Sequence, residues 1–507
     1  MDTPMIRQYK EIKNKYSDYI VFFRLGDFYE MFFEDAHICS KELEITLTSR
    51  DTDNKVPMAG VPYHAADQYI SKLVSKGYKV VICEQVEDPR LAKGIVKREV
   101  VKIVTPGTIT DLNALEENKN NYLGCVFKNG DECGLAFVDL MTGEFDITEL
   151  KSSYPYYEII NEVSRFEPRE CLANHELIKE KLLNKKLKEN LELYFTLRDE
   201  EYFHEEAALD LLTSQFGEER IKEFNGKRLA LRAAGACLKY LNETQKLNLS
   251  HINSISYYEN RDFMILDFTC RKNLEITESL RDGKKTGSLL WVLDRTSTAM
   301  GARLLRKWLE QPLIDILRIK QRQDAVEELF NGFFLRADIK EQLKNVYDIE
   351  RLTGKLVCGN ANARDLLAIK NTIMRLPKIK HILSQCTSKL TYHIYEQIDP
   401  LEDICLLLDK SISDDPPLTI KEANIIKDGY NSEIDILRKA SREGKAWIAD
   451  LEKKEREKTG IKSLKIGFNK VFGYYIEVTK SNLSMVPENY IRKQTLANAE
   501  RYVTEQL

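Results

Sequence analysis

Four aromatic residues stand within six positions near the start of the chain, directly after a Gly-Asp pair, in RLGDFYEMFFEDA (24–36). Asp27 is a good helix N-cap residue, and Glu30 three positions later would complete a capping box. We therefore predict a helix from Asp27 whose apolar stripe packs inward. Phe28 falls at the first turn of this helix rather than along the stripe. A side chain placed there can point out of the domain, which makes Phe28 a candidate for contact with a ligand.

The sequence offers little for an enzyme active site. It has no G-x-x-x-x-G-K-[ST] phosphate loop and no H-E-x-x-H pair, and its seven histidines are scattered. A nuclease of the ribonuclease-H type needs several clustered carboxylates to hold two metal ions. Only Asp139 lies on a candidate central strand. We therefore expect no catalytic residues, no metal site and no cofactor in this stretch of chain.

The stretch from Lys453 to Arg501 is strongly basic. Eleven Lys or Arg against five Glu give it a balance of +6, in a chain whose net charge is −4. Aromatic and amide side chains such as Phe468, Tyr474 and Asn489 stand between the cations. Such a patch can neutralise phosphates without reading base sequence. A solvated charged face would have the same composition, so the pattern alone leaves both interpretations open.

The composition is that of an ordinary globular protein, with 43% hydrophobic and 31% charged residues over 507 positions. This length predicts roughly three or four domains. No apolar run approaches the roughly 18 residues of a membrane span, and the N-terminus lacks the apolar core of a signal peptide. The ten cysteines form no C-x-x-C pair, which indicates neither a zinc site nor a disulfide framework. We expect a cytoplasmic protein without membrane contact.

The first 110 residues have a mixed α/β pattern. After the helix predicted from Asp27, we expect a helix over 65–76 and a strand over 79–84. A further strand in REVVKIVTPGT should end at Pro106-Gly107. The polar run DLNALEENKNN is typical of a linker.

From Tyr122 the period changes to two, and Asn129-Gly130 predicts a hairpin within a three-stranded meander. A helix (154–166), a strand near ECLAN, a charged helix (176–190) and a strand at ELYFTL follow, and then helices to about residue 245. This order of elements is that of a ribonuclease-H-like domain. Residues 267–440 are almost wholly helical in pattern, and a long charged helix is predicted over 420–458 after the break at SDDPPL. The last stretch begins strand-like and becomes helical at its end.

With both ends in view, the chain resembles the MutS family of bacterial DNA mismatch-recognition proteins over essentially its whole length. The stretch FFRLGDFYEMFFEDA is similar to the family's Gly-x-Phe-Tyr-Glu mismatch motif. PMAGVPYHAADQYISKLVSKGYKVVICEQVEDP and VVKIVTPGT resemble the rest of its mismatch-binding domain. RKNLEITESL and TAMGARLLRKWLEQPL resemble the start of its helical core. LKIGFNKVFGYYIEVTKSN and YIRKQTLANAERY resemble its clamp.

The resemblance assigns roles to particular residues. Phe28 would be a wedge inserted from the minor groove beside a mispaired base, and Glu30 would hydrogen-bond the displaced base. A single Glu30 side chain could not easily cap Asp27 and reach a base together, so its two roles compete. The other positions placed near DNA are Arg50, Met58 and His64 in the first domain, and Lys465, Asn469, Lys470, Arg492, Lys493, Asn498 and Arg501 in the clamp.

The expected fold class is multidomain α+β. In family terms, the chain should hold a mixed α/β mismatch-binding domain (1–112), a linker (113–120), a connector of ribonuclease-H-like fold (121–250), an all-helical core and lever domain (260–441) and a β-containing clamp (442–503). The family's C-terminal ATPase and dimerisation domain should follow the clamp and is not encoded in this sequence. We therefore expect the ATP and magnesium sites of full-length members to be absent, and no enzyme activity in this chain.

The expected partner is duplex DNA that contains a mismatch or a small insertion/deletion loop. The resemblance also implies a MutL-type protein as partner, and a homodimer in full-length members with weak or no self-association of this chain. Two other classes stay open: an architectural MutS homologue that binds DNA junctions and, less favoured, a nuclease built on the connector. The Phe-Tyr-Glu motif argues against the first, and the missing carboxylate cluster argues against the second.

Overall fold

The computed structural model describes residues 3–49, 56–87, 96–151, 155–179, 193–246, 249–420, 422–469 and 473–504. The chain divides into two compact units. The first unit holds Met1–Leu408 with Pro417–Lys421, and the second holds Asp409–Pro416 with Glu422–Leu507. Both units combine sheet with helix, so the chain is a multidomain mixed α/β protein with a helical core, as the sequence predicts.

The N-terminal region of the first unit is built on a six-stranded mixed sheet in the order β3-β4-β2-β1-β5-β6. Helices α2 and α3 cover one face of this sheet, and α1 covers part of the other. The elements are α1 (Pro4–Lys15), β1 (Ile20–Leu25), β2 (Phe28–Phe32), α2 (Phe33–Leu43), β3 (Thr48–Ser49), β4 (Pro57–Pro62), α3 (Ala66–Ser75), β5 (Val80–Gln85) and β6 (Arg98–Val104).

The prediction that a helix begins at Asp27 is wrong. Residues 28–32 form strand β2, and α2 begins at Phe33, so Asp27 is not its N-cap and Glu30 completes no capping box. The aromatic residues fit a helical stripe and an alternating strand equally well, and pairing with β1 and β4 decides for the strand. The change from strand to helix places Phe33 at φ +54°, in the left-handed region that non-glycine residues seldom adopt.

The next region holds a second six-stranded sheet, in the order β11-β10-β7-β8-β9-β12. The predicted meander is confirmed: β7, β8 and β9 pair antiparallel, while β10 pairs parallel with β7. The elements are β7 (Tyr122–Asn129), β8 (Glu132–Asp139), β9 (Phe145–Lys151), α4 (Pro155–Phe166), β10 (Glu170–Asn174), α5 (His175–Lys179), β11 (Tyr194–Arg198), α6 (Glu205–Phe216), α7 (Glu218–Lys222), α8 (Arg228–Gln245) and β12 (Ser256–Tyr257).

Helix α8 crosses one face of this sheet with α6 beside it, and α4 lies on the other face. The backbones approach so closely that a Cβ on Gly134 of β8 would lie 2.0 Å from the carbonyl oxygen of Leu229. The predicted helix over 176–190 is described only as far as Lys179, and the rest of it lies outside the described residues. The ribonuclease-H-like assignment stays a prediction, which this strand order supports.

The region from Phe268 to Ser411 is helical, as predicted, and its last helix runs three residues into the second unit. Ile379, Leu383 and Cys386 form a small buried cluster between these helices. The elements are α9 (Phe268–Asn273), α10 (Leu289–Leu293), α11 (Ala299–Glu310), α12 (Ile316–Asn331), α13 (Phe333–Leu343), α14 (Ile349–Val357), α15 (Ala363–Ile373), α16 (Leu376–Leu383), α17 (Lys389–Gln397) and α18 (Glu402–Ser411).

The second unit consists of a long helix and a four-stranded antiparallel sheet in the order β13-β14-β16-β15. The sheet packs one face on Ile461 and Leu464, which follow the helix. The elements are α19 (Ser432–Thr459), β13 (Lys465–Asn469), β14 (Gly473–Thr479), β15 (Ile491–Thr495) and β16 (Ala499–Val503).

Two predictions for the second unit are wrong. The long helix begins at Ser432 rather than near residue 420, because the Asn431 side chain accepts hydrogen bonds from the amides of Glu433 and Ile434 and so caps it there. Residues 491–503 form a hairpin of β15 and β16, not the predicted helix. Tyr502 of β16 is buried in the core of the sheet, which favours the extended form.

Candidate nucleic-acid interface

A two-residue turn at the edge of the first sheet presents Phe28. Gly26 and Asp27 join β1 to β2, with Leu25 opposite Phe28, and Gly26 has φ +58°, a conformation that glycine adopts without strain. The carbonyl oxygen of Asp27 accepts a hydrogen bond of 2.9 Å from the amide of Tyr63, which lies just beyond β4. The turn is therefore fixed from both sides.

Phe28 and Glu30 point to the same face of β2, since side chains alternate along a strand. Tyr29 and Met31 point to the opposite face and are buried under α2 and α3. Phe28 is 46% exposed, whereas Phe32 on the same strand is fully buried against Tyr9 of α1. The α1 side of the sheet is thus covered at one end of β2 and open at the end that carries Phe28.

Gly60 of β4 lies opposite Glu30 on this open face. A Cβ added there would lie 3.6 Å from Cγ of Glu30 and 3.9 Å from Cδ1 of Phe28. The missing side chain leaves both neighbours accessible from the same direction. Gly60 is not among the predicted site residues, although it lies within the motif PMAGVPYHA. Only the pairing of β4 with β2 brings it beside Glu30, and the sequence does not reveal that pairing.

The other residues predicted for this domain lie at different depths. Met58 lies on β4 opposite Phe32 and packs, partly buried, against the cluster that contains Phe23 and Val81. His64 is exposed in the short turn after β4, with its ring edge-on to Tyr63. The structure therefore places His64 close to the strand end that carries Phe28. Met58, in contrast, lies in the interior of the sheet. Arg50 lies outside the described residues.

Two described arginines near the turn are held by internal contacts. The guanidinium of Arg24 stacks at 3.8 Å on the ring of Tyr63 and lies 3.7 Å from a carboxylate oxygen of Glu84. Burial, with a hydrogen bond to Glu84, raises the pKa of Tyr29. Arg98, the first residue of β6, is buried and donates to the carbonyl oxygen of Arg24. These cations stabilise the turn rather than face outward.

The four-stranded sheet of the second unit has one apolar and one polar face. Ile476, Val478 and Tyr502 point to the apolar core. On the polar face, the ring of Tyr475 lies over Gly467, where a Cβ would come within 2.8 Å of it. The guanidinium of Arg501 lies 4.2 Å from the centre of that ring.

Several of the predicted clamp residues are already engaged within the sheet. Arg501 donates to a carboxylate oxygen of Glu477 at 2.9 Å and to Gln494 at 3.0 Å. Arg492 lies 3.4 Å from a carboxylate oxygen of Glu500. Arg501 therefore helps to order the sheet, whereas the side chain of Arg492 is 62% exposed and still faces solvent.

Lys465, Arg492 and Lys493 are exposed cations on the described strands of this sheet. Lys465 stands opposite Glu477, and Lys493 is the additional residue of a β-bulge in β15, between Arg492 and Gln494. A bulge redirects the side chain that it inserts. Asn498 is exposed in the turn between β15 and β16, and Asn469 ends β13 on the other side of the sheet. Lys470 lies outside the described residues.

The carboxylate of Asp139, the candidate for metal chemistry, is occupied by backbone and side-chain amides. It accepts from the amides of Asn121 and Met141 and from the side chain of Asn120. The side chain of Asn120 also donates to the carboxylate of Glu144, which therefore lies near that of Asp139. The sequence does not predict this proximity, because the turn between β8 and β9 creates it. Lys307 donates to the carboxylates of Glu144 and Asp146. Among the described residues no group of three or more His, Cys, Asp or Glu could hold a metal ion.

None of the helices in the described part of the chain combines the length and the apolar character that crossing a membrane requires. The molecule is a multidomain mixed α/β protein with a helical core. It carries an exposed aromatic at one sheet edge and a small sheet with exposed cations.

Comparison with known proteins agrees with this class. Three family models match in order along the chain: MutS domain I at residues 3–113, MutS domain II at 121–253 and MutS domain III at 269–495. The DNA mismatch repair protein MutS of Ruminiclostridium cellulolyticum is 55% identical over the whole chain, and those of Caldanaerobacter subterraneus and Acetivibrio thermocellus are 54% and 52% identical. The chain spans 58% of the length of each of these relatives. The chain belongs to the MutS family.

Proposed function

We propose that this chain recognises mispaired and unpaired bases in duplex DNA and so begins DNA mismatch repair. The observation that carries the proposal is Phe28, a large aromatic side chain that is 46% exposed at a fixed turn, next to Glu30 on the same face. The names of the related proteins support the same function.

Phe28 would act as a wedge. Apolar side chains that enter the minor groove separate two stacked base pairs at a cost of a few kcal/mol per step. This cost is smallest where pairing is already poor. A ring that tests each step in turn therefore stays longest at a mispaired or unpaired base. The buried neighbours Tyr29 and Met31 hold the strand that carries the ring.

Glu30 would hydrogen-bond the displaced base. A carboxylate close to phosphates is repelled by them and gains affinity for a proton, which would let it donate as well as accept. On an intact duplex the same repulsion has no compensating hydrogen bond, so it disfavours matched DNA. The structure gives Glu30 no capping-box role that would compete with this one, because the helix begins at Phe33.

The sheet of the second unit would hold the DNA backbone. Lys465 and Lys493 are exposed and suited to phosphate contact, and Asn498 adds an amide at the turn. Contacts of this kind provide affinity without information about the base pair between the phosphates. We propose residues 442–503 as the clamp, 260–441 as the core and lever domain, 121–250 as the connector and 1–112 as the mismatch-binding domain.

The relatives are longer than this chain, and the activities of the whole protein are inferred from the resemblance alone. We propose a MutL-type protein as the partner that receives an ATP-dependent signal, and a homodimer as the assembly of the whole protein. The present chain would supply the DNA recognition part of that sequence of events.

A base-stacking probe tests the wedge directly. A 2-aminopurine placed beside a G·T mispair becomes brighter when its neighbour is unstacked. We expect an increase on addition of the chain, and none with Phe28→Ala or with a matched duplex. Phe334→Ala, which removes an 81% exposed ring elsewhere, is the matched control and should behave as the wild type. An equal increase with Phe28→Ala would rule out the wedge.

A nuclease finds no support in the arrangement around Asp139. Its carboxylate is bound by Asn120, Asn121 and Met141, and Lys307 neutralises the neighbouring Glu144. An architectural binder of DNA junctions remains the alternative, and it predicts equal affinity for matched and mismatched duplexes.

A further inference from the structure

Two arginines of the helical region bind the backbone of residues 113–120, the linker segment that leads from the first sheet to the second. Arg351 of α14 donates to the carbonyl oxygens of Glu116 at 2.8 Å and Lys119 at 2.5 Å. Arg303 of α11 donates to the carbonyl oxygen of Glu117 at 2.9 Å. The composition of the linker segment predicts a free connection, yet its backbone is held at three points.

The two arginines are buried but differ in how their charge is balanced. The side chain of Arg303 is 5% exposed and forms two hydrogen bonds with Asp348 and one with Glu350. The side chain of Arg351 is 4% exposed, and its ion-pair partner Asp348 is 4.0 Å away. The hydrogen bonds of the Arg351 guanidinium thus go mainly to the linker segment.

This difference makes the contact between Arg351 and the linker segment strongly favourable. Burial lowers the pKa of Arg351, which reflects the cost of keeping the cation away from water. If the linker segment left, the guanidinium would lose its two carbonyl oxygens, and the loss of hydrogen bonds to a charged group is costly. The linker segment and Arg351 therefore stabilise each other.

Asp139 holds the end of the linker segment from the opposite side. Its carboxylate accepts from the side chain of Asn120 at 3.0 Å and from the amide of Asn121 at 3.1 Å. Helix α14 also touches the second sheet region directly, since a Cβ on Gly354 would lie 2.3 Å from the carbonyl oxygen of Met141. The linker segment is fixed between β8 and α14.

We propose that Arg351 and Arg303 are positioning residues for mismatch recognition, which hold the linker segment and thereby fix the sheet that carries Phe28 on the helical region. This role rests on the function proposed above. The linker segment follows β6, which belongs to the same sheet as β2. A wedge separates bases only if its support does not yield, so a released linker segment would weaken the selective step.

The first test measures the hold on the linker segment without DNA. The side chains of Glu116 and Glu117 are exposed, so a glutamate-specific protease can cut there once the backbone opens. Arg351→Gln and the milder Arg351→Lys lose one or more charged hydrogen bonds, and we expect about tenfold faster cleavage. Arg318→Gln, which alters an exposed arginine on α12, is the matched control and should leave the rate unchanged. Thermal unfolding of each variant confirms that it folds.

The second test measures the ratio of affinities for a G·T duplex and a matched duplex. We expect this ratio to fall about threefold to tenfold in both Arg351 variants, with matched binding preserved. Faster cleavage with an unchanged ratio would reduce both arginines to a purely structural role and overturn the proposal. Unchanged cleavage would overturn it as well. A wild type without any mismatch preference would instead contradict the proposed function, while the cleavage result would still report on the linker segment.

Discussion

Phe28 and Glu30 lie two residues apart on one face of β2, and the strand opposite them carries Gly60, whose missing side chain leaves the space beside both of them open. The residue between them, Tyr29, points into the core. An aromatic ring and a carboxylate are thus presented together on a strand whose other face is fully packed. Mismatch recognition, as proposed above, depends on this pair.

Replacement of Phe28 by Ala should abolish the preference for a mismatch and leave binding to matched duplex nearly unchanged. In the proposed mechanism the ring supplies discrimination, whereas contacts to phosphates supply background affinity. Because the ring is about half exposed, the loss of stability should be smaller than the roughly 3–5 kcal/mol typical of a buried Phe. Anisotropy titrations and thermal unfolding check the two parts. A variant that still prefers the mismatch tenfold would make Phe28 a packing residue only.

Gly60 offers a graded test of the same face. Gly60→Ala should fold normally and bind much as the wild type, since the new Cβ meets its neighbours at ordinary contact distances. Gly60→Leu should lower the mismatch preference with little effect on matched binding, because the longer side chain would compete for the space of Phe28 and Glu30. The measurement is the ratio of the two affinities for each variant. Equal ratios in both variants would show that this face does not meet the base.

Neutralising two exposed lysines of the proposed clamp should weaken binding to both duplexes alike. Each phosphate contact contributes about −0.9 to the slope of log affinity against log salt, so Lys465→Gln with Lys493→Gln should make the slope shallower by roughly one to two. Titrations at three salt concentrations measure this slope. Lys389→Gln, an exposed lysine of α17, serves as the control. A selective loss on the mismatch would mean instead that the clamp senses the lesion.

Glu310 should make the stability of the first unit depend on pH. Burial raises its pKa to about 7, although Arg306 lies 3.0 Å away and acts in the opposite direction. The folded state then binds this proton more tightly than the unfolded state, whose glutamate titrates near 4.5. Its stabilising contribution is complete below about pH 4.5 and is lost as the pH rises through 7.

The matched variant is Glu310→Gln, which keeps the shape and removes the titration. Between pH 5 and pH 8 the wild type should lose roughly 1–3 kcal/mol relative to this variant. Thermal unfolding at several pH values checks the difference. Parallel stability curves for the two proteins would show that Glu310 is ionised throughout.

Local signals in the sequence predict much of the second sheet region. The predicted hairpin is present, and its two turn residues are Gly130, at φ +62°, and Asp131, because Asn129 ends β7 opposite Glu132. The strands on either side pair antiparallel as expected. The stretch after Asp27 fails because its closely spaced aromatic positions satisfy a helical and an extended period alike. The choice between them depends on pairing with β4, about thirty residues away in sequence.

The other features that the sequence does not predict depend on contacts between residues far apart in the chain. The polar linker segment gives no sign that Arg351, more than 200 residues later, binds its carbonyl oxygens. The basic pattern of residues 453–501 does not separate Arg501, which is held by Glu477, from the exposed Lys493, which a bulge redirects. The residue types are visible in the sequence, but their partners are set by the fold.

The affinity of this chain for three duplexes of one length, at one salt concentration, tests the central claim most directly. One duplex is fully matched, the second has a G·T mispair and the third has one extra T. Anisotropy titration gives the three affinities. Recognition of the defect through Phe28 and Glu30 predicts that both defective duplexes bind roughly tenfold or more tightly than the matched one, a preference of about 1.4 kcal/mol or more. Equal affinity for all three duplexes would contradict it.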